Sequence, residues 1–170
     1  NKPATVVLNG VNATANNNAV MIATSAGAAN VTIDGCDFTG LAVVNVAGAK
    51  SNVAIKDSNI TNVDANTAEN YGAITIWTSA ENAKVVVSDG EIIVADDSRQ
   101  GYVFPATATI EGVEDVGYII VTVGDAGYET LAEAIEDVKA NGTISFIRNG
   151  KGAGVVINQD VTIDFNGHAY

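Results

Sequence analysis

Short apolar runs of Val, Ile and Ala alternate with small polar turns along the first two thirds of the chain, and the pattern repeats. Ala19 to Gly40 reads AVMIATSAGAANVTIDGCDFTG, Ala42 to Val63 reads AVVNVAGAKSNVAIKDSNITNV, and Ala73 to Val94 reads AITIWTSAENAKVVVSDGEIIV. Each segment holds a short strand, a small polar turn, a second strand of the form V-x-I/V, and a polar pair leading to an apolar residue. The start-to-start spacing is 23 residues and then 31, with an insertion at Asp64 to Tyr71 accounting for the longer step. Extra residues at a turn cost little closure entropy. Partial copies flank the triplet at Val7 to Ala13 and Thr109 to Glu114. Repeats of about 22 residues with two or three short strands each are the mark of a solenoid, whose coils bury their inward side chains against one another.

Stacking the copies places Leu8, Ile33, Ile55, Val87 and Ile110 in one inward column and Ala13, Phe38, Ile60 and Ile92 in another. A third column, Asn12, Asp37, Asn59, Glu91 and Glu114, is polar in every copy. It reads as an exposed stack with amides hydrogen-bonded along the axis, or as an acidic strip for Ca²⁺. One such group per coil is too spread out for a compact cage. Asn9-Gly10 and Asp34-Gly35 could make two-residue hairpins. Because they recur at the coil period, they read instead as corners between parallel strands.

From Tyr128 the period changes. Leu131, Ala134, Ile135 and Val138 form a helical stripe, Thr130 to Glu133 a capping box, and Asn141-Gly142 a stop, which predicts a helix over 131–140. Three strand-like runs follow, at Thr143 to Ile147, Val155 to Ile157 and Val161 to Phe165. The order Tyr128-x-Thr130-Leu131-x-Glu133-Ala134-Ile135, then Gly142-Thr143-Ile144, then Val161-Thr162-Ile163-Asp164-Phe165-Asn166-Gly167-His168 resembles the opening of pectate-lyase-like right-handed parallel β-helices in bacterial surface proteins. Segments 19–94 are similar to the same superfamily through generic coils. The resemblance implies an all-β solenoid with one short amphipathic helix plugging an open coil. Residues 1–123 are then β-helix coils, and residues 124–170 are a capping helix plus strands that open or complete a β-helix. A start signal this late leaves three readings: a piece of a protein with tandem β-helices, a helical excursion from a continuing coil, or an end completed by another subunit. The start at Asn1-Lys2-Pro3 also reads as a processed or excised piece.

Composition narrows the partners. With 20 Asp plus Glu against 8 Lys plus Arg, the chain has little to neutralise phosphates, so nucleic acid and anionic membrane surfaces are disfavoured. Nearly half the residues are hydrophobic, 47%, yet no apolar run is long enough to span a bilayer. Cys36 is the sole cysteine, so no internal disulfide can form. The four sequons begin at Asn12, Asn30, Asn59 and Asn141.

Candidate chemistry is thin. Lyases of the resembling family use acidic residues for Ca²⁺ and an Arg or Lys base. Here Asp96-Asp97-Ser98-Arg99 comes nearest, and Arg148 is the other arginine. Hydrolases on that fold need closely placed carboxylates; Asp34 and Asp37 share a coil with Asp57 one coil on, but Asp34 and Asp57 occupy turn positions suited to Asp. His168 reads as packing or capping a turn. Cys36 aligns with Ser58 and Gly90 at a turn, too far from His168 for a dyad. Tyr71, Trp77 and Tyr102 could form a sugar-stacking platform, against which stands inward packing of Trp77 on its strand. Thr-rich faces raise ice binding, but no T-x-T ladder stacks across copies.

The expectation is therefore a non-catalytic structural or adhesive segment of a secreted or cell-surface protein. It would lack catalytic, cofactor and metal residues, and would assemble head to tail into a filament through open β-helix ends, with copies of itself, neighbouring segments or surface glycans as partners. The alternative is a carbohydrate-binding or carbohydrate-active β-helix. The strand edges at residues 5–8 and 161–165 are where these readings meet.

Overall fold

The computed structural model describes residues 3–63, 71–95 and 98–170. Its chain divides into two compact units, Asn1–Gly117 and Tyr118–Tyr170. The sequence places this boundary after residue 123; the structure assigns Val121–Val123 to the second unit.

The first unit is built from parallel sheets. Strands β1 (Ala4–Asn9), β2 (Asn12–Thr14), β3 (Val20–Ile22), β4 (Ala29–Asp34), β5 (Asp37–Gly40), β6 (Val44–Val46), β7 (Asn52–Asn62), β8 (Gly72–Ile76), β9 (Lys84–Ile93), β10 (Arg99–Val103), β11 (Thr109–Glu111) and β12 (Val116–Tyr118) follow one another along the chain. One sheet runs β1-β4-β7-β9-β11 along its first half, while β2 and β5 join the second halves of β7 and β9. The other sheet has the order β12-β10-β8-β6-β3. Among the described residues, no strand of the first unit pairs with its immediate successor. Each pairs instead with the equivalent strand of another repeat, which excludes the hairpin reading of Asn9-Gly10 and Asp34-Gly35.

Register follows the sequence columns closely. Leu8 pairs with Ile33, Ile33 with Ile55, and Ile55 with Val87. Ala13 pairs with Phe38, Phe38 with Ile60, and Ile60 with Ile92. Phe38, Ile33, Ile55 and Ile60 are essentially fully buried. The second sheet contributes Val44, Val46, Ile74, Ile76 and Val103 to the same core. Slipping any strand by one residue would turn these side chains out to water, so the apolar alternation itself pins the register.

Corners are made by left-handed residues stacked across repeats. Gly10, Gly35, Asp57 and Asp89 have φ of 61°, 60°, 45° and 60°. They follow Asn9, Asp34, Lys56 and Ser88, which pair in register. Gly and Asp reach this region at lower cost than most residues. β7 and β9 run through the corner as single strands, the ladder skipping Asp57 and Asp89 and resuming at Ser58 and Gly90.

Two column assignments need correction. Ile110 pairs with Val85 rather than Val87, a shift of two residues. The left-handed Gly112, φ 81°, sits against the Val87 carbonyl and closes the ladder early. An even shift preserves the facing, so Ile110 is still buried. Glu114 leaves the polar column and donates its backbone N–H to Gln100 Oε1 at 2.9 Å.

The second unit carries a mixed sheet, with the order β14 (Ala126–Tyr128), β13 (Val121–Val123), β15 (Thr143–Phe146) and β16 (Thr162–Asp164). β13 is antiparallel to both β14 and β15, and β15 is parallel to β16. The β13–β14 hairpin turns at Gly124-Asp125, with Gly124 at φ 59°. Helix α1 (Leu131–Asp137) has the expected capping box, Thr130 accepting from Glu133 N–H and Glu133 from Thr130 N–H. It ends earlier than the stripe suggests, because Val138 is already extended at ψ 133°. Asn141, φ 63°, and the Gly142 N–H bond to Lys139 O form a separate turn. Leu131, Ala134 and Val138 pack with Val121, Ile144 and Phe146. Val155 to Ile157 is not a strand; Val156 and Ile157 are exposed and no ladder partner aligns with them.

Candidate functional site

An aromatic cluster lies at the end of β8 and β10. Ile76 pairs with Val103, so the next residues, Trp77 and Phe104, lie one repeat apart. Their N–H groups donate to Val46 O at 2.9 Å and Ile76 O at 3.0 Å, continuing the ladder. The two rings stack at 5.1 Å with planes 15° apart. Tyr71 meets Trp77 edge-on at 5.2 Å, and Tyr102 meets Phe104 at 6.4 Å. Phe104 is buried; Tyr71, Trp77 and Tyr102 are half-buried. Each such ring pair adds about 0.5–1.5 kcal/mol beyond the area it buries.

Arg99 completes the cluster. Its guanidinium lies 5.8 Å from the Tyr102 ring centroid and 2.8 Å from Asp115 Oδ1. Half-exposed rings beside a carboxylate and a guanidinium match a carbohydrate's needs: apolar C–H faces on aromatics, hydroxyls on charged hydrogen-bonding groups. The three rings named from the sequence thus come together. Phe104 carries no such signal in the sequence, because Arg99 to Val103 lacks the V-x-V signature of the repeats. Asp96 and Asp97 lie outside the described residues, as does the insertion over 64–70.

The outward face of the first sheet carries a shallow cavity of about 230 Å³, lined in part by Thr5, Asn30, Thr32, Asn52, Ala54 and Val86. Asn52 donates to Asn30 Oδ1 at 3.1 Å, and Asn45 on β6 donates to Asn18 Oδ1 at 3.3 Å. Amide-to-amide bonds along the repeat axis therefore form, but in columns other than the expected one. Asn12, Asp37, Asn59 and Glu91 are in register and exposed. Adjacent members stand one strand spacing apart, about 4.8 Å. No group of three or more His, Cys, Asp or Glu side chains converges among the described residues.

The remaining candidates sit at structural positions. Asp34 and Asp57 sit at the corner, and the Asp34 carbonyl accepts from Gly10 N–H at 3.0 Å. Cys36 is buried, its Sγ facing the carbonyls of Leu8 and Asp34 at 3.5 and 3.4 Å. In the second unit, His168 closes a turn through its backbone N–H, which donates to Phe165 O. Arg148 lies 4.8 Å from the Tyr118 ring, and burial lowers its pKa from the usual guanidinium value. The Asn of each sequon is exposed. No helix among the described residues is long and apolar enough to cross a membrane.

Comparison with protein-family models, with curated proteins and with solved structures gives no match.

Proposed function

We propose that residues of the first unit form coils of a right-handed parallel β-helix, of the pectate-lyase-like kind, in an extracellular surface protein. Its role is non-catalytic: a stiff acidic scaffold that joins neighbouring units head to tail through open strand edges. The observation that carries this reading is the in-register parallel pairing of repeat-equivalent strands in both sheets of the first unit. A chain that pairs each strand with its counterpart a repeat later must cross over between them, and parallel crossovers are right-handed in about 98% of cases. A ladder open at its ends is a template for another strand. Sedimentation velocity over a wide concentration range, with electron microscopy of the same samples, tests the scaffold reading. Growth into linear particles is expected, and a strictly monomeric species at every concentration would exclude it.

The aromatic cluster supports a second reading, carbohydrate binding. Tyr71, Trp77 and Tyr102 beside Arg99 and Asp115 supply both stacking surface and polar groups. Glycan-array binding that disappears in Trp77→Ala would favour it. Binding that survives that substitution would place any glycan contact elsewhere.

A further inference from the structure

The strand that natively covers β1 has a near-copy at the other end of the chain. β4 carries Val31-Thr32-Ile33-Asp34, and the β16 region carries Val161-Thr162-Ile163-Asp164, the same four residues in order. β4 pairs in parallel with β1 as Val6–Val31, Val7–Thr32, Leu8–Ile33 and Asn9–Asp34. Both β1 and β16 are terminal in their sheets among the described residues. Each leaves apolar side chains in water: Val6 is 42% exposed, Val7 64%, and Phe165, which follows β16, 45%.

Resting on the head-to-tail reading above, we propose that β16 of one copy of this chain adds to the free edge of β1 of another. The strands run parallel, with Ile163 opposite Leu8 and Thr162 opposite Val7. The same register sets Asp164 opposite Asn9, the position Asp34 holds in the β1–β4 ladder.

Backbone polarity fits this register. Gly10 N–H donates to Asp34 O, so the groups of Val6 and Leu8 face β4 and those of Thr5, Val7 and Asn9 face the free edge. Thr162 N–H donates to Gly142 O, toward β15, so the groups of Val161, Ile163 and Phe165 face outward. A parallel ladder sets a residue facing its neighbour opposite one facing away. Ile163 opposite Leu8 and Val7 opposite Thr162 both obey that rule. Inward packing agrees as well, since Leu8 packs on the core of the first unit and Ile163 on that of the second. Addition would thus continue the ladder and its apolar column together. Each chain carries a net charge of −12, so assembly should strengthen as salt screens the repulsion.

Cross-linking reads the register directly. Val7 and Thr162 are exposed, and Cys36 is buried. Opposed residues of adjacent strands lie about 4.8 Å apart, within the range a disulfide spans. Single variants Val7→Cys and Thr162→Cys are mixed under mild oxidation, with Asp160→Cys replacing Thr162→Cys as the out-of-register control, about 8 Å away by strand geometry. The expected result is a disulfide-linked heterodimer at least tenfold more abundant with Thr162→Cys than with Asp160→Cys. Val7→Pro, which removes an N–H from the free edge only, should raise the concentration needed for assembly at least tenfold. Ile163→Pro makes the same test from the other strand if Val7→Pro does not fold. Assembly without selective cross-linking overturns this pairing and leaves the head-to-tail reading standing. Wild-type chain that never assembles overturns both.

Discussion

Ser58 ties two successive repeats together: its Oγ accepts the Cys36 N–H at 3.0 Å and donates to the Lys56 carbonyl at 2.6 Å. The hydroxyl sits fully buried at the corner, where Cys36 and Gly90 are its neighbours along the axis. Ser58→Ala leaves the buried Cys36 N–H without this acceptor. Such a loss costs about 1–3 kcal/mol, and denaturant unfolding should show it as a lower midpoint with an unchanged slope.

Gly35 and Gly90 lie at corners two repeats apart, with Asp57-Ser58 between them, and should respond differently to alanine. At Gly90, φ 90°, an added Cβ would lie 2.2 Å from Ser58 O, against backbone that cannot swing aside. Around Gly35, φ 60°, an added Cβ would meet nothing within 4 Å. Gly35→Ala should cost only the left-handed penalty, about 1–2 kcal/mol. Gly90→Ala adds a steric clash and should exceed it by about 2 kcal/mol or more. Equal losses in thermal unfolding would show that the corner relaxes.

Phe38 is stacked between Ala13 and Ile60 and is 1% exposed. Phe38→Ala should destabilise the first unit by about 3–5 kcal/mol, the usual cost of an aromatic-sized cavity. Ala13, half-buried at the first repeat, leaves less to lose, so Ala13→Gly should be milder. Paired denaturation curves of the two variants check the order.

Tyr128 couples the second unit to alkaline pH. Burial first, and then its hydrogen bond to Asp137 and that carboxylate's charge, push the phenol up from 10.0 to about 12. The folded state holds this proton more tightly than the unfolded chain. The stabilisation is therefore complete below pH 10 and is lost as pH rises toward 12. Stability should fall through that window, and Tyr128→Phe should flatten the fall. An unchanged slope in the variant would assign the alkaline loss to other groups.

Much of this was legible in the repeats. The two inward columns through Ile33 and Phe38 and the capping box at Thr130 were readable because apolar spacing and cap chemistry are local signals. The left-handed corners at Gly10 and Gly35 were readable from Asn-Gly and Asp-Gly dipeptides; Asp57 takes the same role without that signature, and at Asp89-Gly90 the dipeptide falls one residue later, with Asp89 itself left-handed. The early close of the ladder at Gly112 was not readable, since a shift of two residues leaves the in–out pattern intact. Val155 to Ile157 has strand-like composition, yet it joins no ladder and leaves Val156 and Ile157 exposed. Val121 to Tyr128 hid an antiparallel hairpin because its Gly124-Asp125 turn fell between two segments read as different in kind.

For the candidate site the division is similar. Tyr71, Trp77 and Tyr102 stood out as aromatics in a chain poor in them, but their convergence depends on the Ile76–Val103 pairing, which also brings in Phe104. By itself the sequence determined which side chains face inward and where the chain turns, because periodicity and turn chemistry act over a few residues. Only the tertiary structure decided which strand lies on which, where each ladder stops, and which aromatics and charges meet, because those depend on pairing between residues some 20 to 30 positions apart.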